Sequence, residues 1–159
     1  MANSLSVAWA EDAFRFRLDF ADPDAVPDDV AKLSESLAVF LRDRGVDDEE
    51  ANALHIAIEE LMTNIGKFGL LDSPPADGIL FAEGAVAVDP ASVSLTLSDN
   101  APAFDPTAWP PPDLAPEALL NNPVGGLGIF MLFQMFNEVA YRRDEDRNIT
   151  VWQKKRVAP

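Results

Sequence analysis

Three short stretches of this chain carry residue types that could do chemistry. Glu60 and Asn64 are four residues apart, so on a helix they lie on one row, one above the other. Ile56 precedes them on that row and Leu61 and Ile65 flank it, which places the pair at the edge of an apolar stripe. A partly buried carboxylate needs a partner or its pKa rises. Beside a neutral amide oxygen it suits a general base next to a hard cation such as Mg²⁺. The same short pattern also describes two ordinary solvent-facing helix residues. The second stretch is Ser98-Asp-Asn-Ala-Pro-Ala-Phe-Asp-Pro106. Asp99 at a strand end can accept a hydrogen bond from an exocyclic amine such as adenine N6, with small residues nearby to admit a flat ring; an Asx-type turn is the competing reading. The third is Gly125-Gly-Leu-Gly128 at the head of an apolar helix. Unpaired N–H groups and the helix dipole make such a start an anion site, and glycine lets phosphate approach; a plain hinge has the same composition. No Lys-Ser/Thr follows, which excludes a Walker A loop, and a proline-rich loop precedes it where a Rossmann fingerprint needs a strand.

The elements that must position these residues follow from periodicity. LSVAW and Phe14–Leu18 alternate as one or two opening strands. Val30, Leu33, Leu37, Phe40 and Leu41 recur at helical spacing until Gly45 stops the helix. Asp47 and Glu50 form a capping-box-like start for the next helix, whose apolar stripe is Leu54, Ile58, Leu61 and Ile65. ILFAEGAVAV and SVSLTLSD read as two strands. Residues 101–124 hold seven of the thirteen prolines together with Trp109, and so long a loop is typically a functional lid or disordered. GGLGIFMLFQMFNEV reads as a third helix in which Phe130, Phe133 and Phe136 are core first and partner contact second. EVAYRR, a polar turn and ITVWQKK form a closing hairpin. Nothing divides the 159 residues, so a single domain is expected.

Composition narrows the function. The net charge of −15 disfavours direct contact with a phosphate backbone. No apolar run is long enough for a membrane helix, the first residues do not resemble a signal peptide, and cysteine is absent, which fits a cytoplasmic protein. Six of the twelve basic residues fall in one cluster, Arg142, Arg143, Arg147, Lys154, Lys155 and Arg156. That cluster is either a solvated hairpin rim or a docking surface for an acidic partner. His55 is the only histidine, which argues against a transition-metal site.

The order of the three stretches is more specific than any one of them. Ile58-Glu-Glu-Leu-Met-Thr-Asn64, Leu97–Pro106 and Pro123-Val-Gly-Gly-Leu-Gly-Ile129, with Asn137–Arg143 and Arg147–Val151 behind them, resemble the GHKL ATPases. The branch they are most similar to is the anti-sigma factor serine/threonine kinases of the RsbW type, from about Val30 to Lys155. The resemblance implies an α+β fold, a two-layer sandwich of the Bergerat type with helices on one face of a mixed, mostly antiparallel sheet. It implies ATP and Mg²⁺ between the second and third helices under a lid at 101–124. Glu60 would be the general base and Asn64 the Mg²⁺ ligand, with Lys67 directed at phosphate. Asp99 would read adenine beside Ala101, Ala103 and Phe104, and Gly125, Gly126, Leu127 and Gly128 would cradle phosphate. The implied reaction moves the γ-phosphoryl of ATP to a serine of an anti-anti-sigma (STAS) partner, and a sigma factor is held when that partner is absent. A homodimer is implied as well. Two positions depart from the family pattern: Ala101 replaces the glycine of D-x-G, and Val124 replaces the first glycine of G-x-G-L-G. Phe130-Met-Leu-Phe133 also lacks the basic residue that relatives often carry there.

Overall fold

Alternation of aromatic and charged residues sends Phe14, Phe16, Leu18 and Phe20 to one face of a strand, where all four are buried, and leaves Arg15 and Arg17 on the other. In the computed structural model, which describes residues 2–10, 12–72, 75, 78–108 and 126–157, that strand is β2 (Ala13–Phe20), beside β1 (Ser4–Trp9). The other strands are β3 (Leu80–Val88), β4 (Ser92–Asp99), β5 (Glu138–Asp144) and β6 (Arg147–Lys155). They form one six-stranded sheet in the order β1-β2-β3-β4-β6-β5. Every pairing is antiparallel, so the mixed sheet expected from the resemblance is here antiparallel throughout the described strands. β1–β2, β3–β4 and β5–β6 are joined by short reversals, whereas residues 21–79 separate β2 from β3 and residues 100–146 separate β4 from β6.

Among the described residues, three helices cover one face. α1 (Val26–Asp43) lies over β1 and β2, and α2 (Asp48–Lys67) over β3 and β4. α3 (Gly126–Met135) packs Phe133 on Trp152 of β6, and Phe136 just beyond the helix packs on it too, with ring centroids 5.5 and 5.8 Å away. The two-layer α+β sandwich therefore stands. α1 starts a turn earlier than its regular apolar spacing, with Pro27 in its first turn where no N–H is needed. It is capped by Arg44, and the chain turns away at Gly45, whose φ of 70° suits glycine. α3 stops at Met135, short of the Asn137-Glu-Val included by the sequence reading, because β5 claims Glu138 onward for the sheet.

The start of α2 is tied to the end of the chain. Asp47 and Glu50 form a complete capping box, and the buried Glu50 also accepts from Val157 N at 3.2 Å and faces Arg156 at 3.5 Å. Across the sheet, Gly84 pairs with Phe16, whose ring folds over it. A Cβ at Gly84 would sit 2.7 Å from Phe16 Cε2 and still nearer the rest of the ring. Gly84→Ala should therefore overpack the core and destabilise the fold by about 1–3 kcal/mol. A shifted urea midpoint at unchanged slope would show this, and an unshifted midpoint would mean that the ring moves freely.

Candidate functional site

α2 presents Glu60, Asn64 and Lys67 along one side, each half-buried. None of these side chains has a hydrogen bond or ion pair to another described residue. Glu60 meets the first turn of α3. A Cβ at Gly128 would lie 2.8 Å from Glu60 Cδ and inside the contact distance of Oε2, so the carboxylate occupies the space that any other residue would fill. Desolvation raises the Glu60 pKa, and the neighbouring Glu59 charge adds to it. The result is a carboxylate with increased proton affinity beside a helix start whose leading N–H groups have no intrahelical partner.

Asp99 closes β4 on the helix-covered face, in step with the buried Val93, Leu95 and Leu97, and is only 7% exposed. Its Oδ1 accepts from Ala101 N at 3.0 Å, which is the Asx turn read from the sequence, and from Asn148 Nδ2 at 2.9 Å. Its Oδ2 has no partner among the described residues. Turn and acceptor are therefore compatible, because one oxygen holds the backbone and the other is open. Burial raises the Asp99 pKa, opposed by the bonds from Asn148 and Ala101 and by the Arg143 charge.

The fold brings these parts to one seam. Asp99 and Asn148 are register partners on β4 and β6, the strands overlaid by α2 and α3 respectively. The end of α2 lies at the same end of the sheet as Asp99. Gly69, in the π-turn Phe68–Asp72 that follows the helix, packs on Leu80 at the start of β3. The adjoining Phe81 N donates to Asn100 Oδ1 at 2.8 Å. The row from Glu60 to Lys67 thus runs from Gly128 toward the end where Asp99 lies.

Of the other candidates, Ala101 is buried, Ala103 is exposed and Phe104 is half-buried, with its N–H on Asn148 Oδ1 at 3.1 Å. Gly126 opens α3. Gly125, Val124, Trp109, the side chain of Leu127 and residues 109–124 of the proposed lid lie outside the described residues. Among the described residues, no group of three or more His, Cys, Asp or Glu is arranged to hold a metal ion. This donor set fits Mg²⁺ arriving with a triphosphate, since that ion takes one or two protein oxygens and keeps phosphate and water ligands. Asn64 Oδ1 is the available oxygen.

The sequence reading assigns no role at the Asp99 turn to Asn148, Tyr141 or Arg143: Arg143 stands in the basic cluster, and the other two lie in the closing hairpin. Tyr141 OH donates to Asn148 Oδ1 at 2.7 Å, and Arg143 Nη1 donates to Ala101 O at 3.0 Å. The available signal was a polar residue, Asn148, at an inward position in step with Trp152. The basic cluster is not one surface. Arg143 points to the Asp99 turn, Lys154 binds Met135 O at the end of α3, Arg156 joins Glu50, and Arg147 reaches Glu83 on the opposite sheet face. Antiparallel alternation divides it between two faces. His55 lies elsewhere on α2; its pKa is lowered by desolvation and its buried Nδ1 has no partner among the described residues. Among the described residues, no helix is long and apolar enough to cross a membrane.

Residues 24–154 match the family model described as a histidine kinase-like ATPase domain. A comparison with curated proteins found no match.

Proposed function

Because the chain belongs to the histidine kinase-like ATPase domain family, we propose that it is an ATP-dependent serine kinase that acts as an anti-sigma factor. Its target would be a serine of an anti-anti-sigma protein of the STAS type, and a sigma factor would be bound in that partner's absence. The observation that carries this reading is the contact between Gly128 at the head of α3 and the half-buried Glu60 carboxylate, which has no partner among the described residues. In the proposed step the serine oxygen attacks the γ-phosphorus, the bond from that phosphorus to ADP breaks, and the seryl proton passes to Glu60. Asn64 would ligate the Mg²⁺ that comes with ATP, Lys67 would face phosphate, and Asp99 Oδ2 would accept from the adenine amine. Bound Mg²⁺ supplies neutralisation of phosphate charge, and the protein supplies position and electrostatics.

A second reading is favoured by the buried Ala101 methyl and by Phe130-Met-Leu-Phe133, which places no cation on α3. It is a sequestering module of the same fold with weak or absent turnover. Melting the protein with increasing ATP and Mg²⁺ separates the two. Ligand at a hundred times Kd should add about 2.7 kcal/mol of stability. No shift at millimolar ATP would remove the kinase and leave the sequestering module. If ATP binds, γ-labelled ATP and candidate STAS proteins decide whether the label reaches serine.

A further inference from the structure

We propose that Asn148 is the positioning residue that sets the purine preference of this site, by holding Asp99 in the one orientation that leaves a single open acceptor. The proposal rests on the ATP reading above. Asn148 is 3% exposed, and its amide is fully engaged. Oδ1 accepts from Tyr141 OH at 2.7 Å and from Phe104 N at 3.1 Å. Nδ2 donates to Asp99 Oδ1 at 2.9 Å, to Pro102 O at 3.0 Å and to Ala101 O at 3.3 Å.

That network decides which way the amide faces. Phe104 N can only donate, and the carbonyls of Ala101 and Pro102 can only accept. A flipped amide would set N–H against N–H on one side and oxygen against three oxygens on the other. The NH₂ group is therefore forced onto Asp99 Oδ1. With Ala101 N on the same oxygen, Oδ1 is saturated. Only Oδ2 remains, and it can receive a donor but repels an acceptor. An adenine N6 amine satisfies it, whereas the O6 of guanine in the same place does not. Without Asn148 the carboxylate keeps only the Ala101 bond and can turn, so one acceptor position becomes several. The discrimination thus depends on a β6 side chain 49 residues beyond the aspartate, outside the three stretches from which the candidate site residues were read.

The test measures ATP and GTP affinities, with Mg²⁺, for the full chain as wild type, Asn148→Ala, Asn148→Asp and Tyr141→Phe. Asn148→Ala should weaken ATP by about tenfold to a hundredfold, the range for one hydrogen bond to a charged group. It should change GTP much less, so that the ATP:GTP ratio collapses. Asn148→Asp has the same shape but puts a carboxylate oxygen against Asp99. It should lose ATP affinity at least as fully as Asn148→Ala, whereas a space-filling role would leave it near wild type. Tyr141→Phe keeps the donor on Asp99, so its ATP:GTP ratio should fall less than that of either Asn148 variant. Melting the unliganded variants separates loss of fold from loss of selectivity. If wild type binds ATP and both Asn148 variants keep its ATP:GTP ratio, the positioning role is overturned and the ATP reading survives. If wild type binds neither nucleotide, the ATP reading falls, and this inference with it.

Discussion

Glu60→Gln should reduce phosphoryl transfer by about 10²–10⁴-fold while ATP binding changes little. The range is that of a positioned general base. Glutamine has the shape of glutamate and can occupy the same space against Gly128, but its amide cannot take the seryl proton. Transfer in the wild type should also fall as pH drops through the Glu60 pKa, which desolvation and then Glu59 raise above the ordinary carboxylate value. Stability moves the other way. With the native pKa above the unfolded one, the folded state holds more protons in the window between them. The stabilisation is complete below the unfolded value and is lost as pH rises through the native value. At neutral pH the wild type therefore carries the desolvation cost of an ionised Glu60, which glutamine does not. The melting temperature of Glu60→Gln should equal or exceed that of wild type. Equal transfer rates for variant and wild type, with labelled ATP and a competent acceptor, would refute the base assignment.

Asp99→Asn is expected to have the largest effect on binding, a loss of about a hundredfold or more in ATP affinity, as removal of a buried charged acceptor implies. The amide oxygen can still accept from Ala101 N and Asn148 Nδ2, so the turn and the local fold are retained. The NH₂ group then replaces Oδ2 and points a donor at the adenine amine. Burial raises the Asp99 pKa despite its two bonds and Arg143, so the sign of the pH linkage is that of Glu60. The unliganded variant should be as stable as wild type or more so, and ATP should no longer shift its melting curve. Wild-type ATP affinity in Asp99→Asn would show that this carboxylate does not read the base. Together the two variants separate reading the nucleotide from using it, since one should abolish the ligand-induced shift and the other only the transfer.

The local parts of the site were legible because they depend on near neighbours in sequence. Four-residue spacing places Glu60 over Asn64 on any helix. The Asp47–Glu50 capping box needs only an Asp three residues before a Glu at a helix start, and it forms as read. Period-two alternation fixed the inward faces of β2 and β4. Elsewhere the local pattern misled. The basic residues between Arg142 and Arg156 look like one cluster in sequence, yet successive strand residues point to opposite faces. Three of them, Arg143, Lys154 and Arg156, are engaged with buried or backbone partners. The helix reading ran past Met135 because Phe136 continues the apolar pattern of α3, while the demand of β5 for a sheet partner ends it.

By itself the amino-acid sequence determined the helices, the strand faces and the order of an acidic helix row, an acidic strand end and a glycine-led helix start. These arise from interactions within a turn or a strand, where spacing and propensity suffice. Only the tertiary structure decided that Gly128 lies against Glu60, and that β6 rather than β5 pairs with β4 and brings Asn148 to Asp99. Such meetings are set by strand order, register and helix packing across the whole core. Those are properties of contacts between residues far apart in the chain, and no local pattern encodes them.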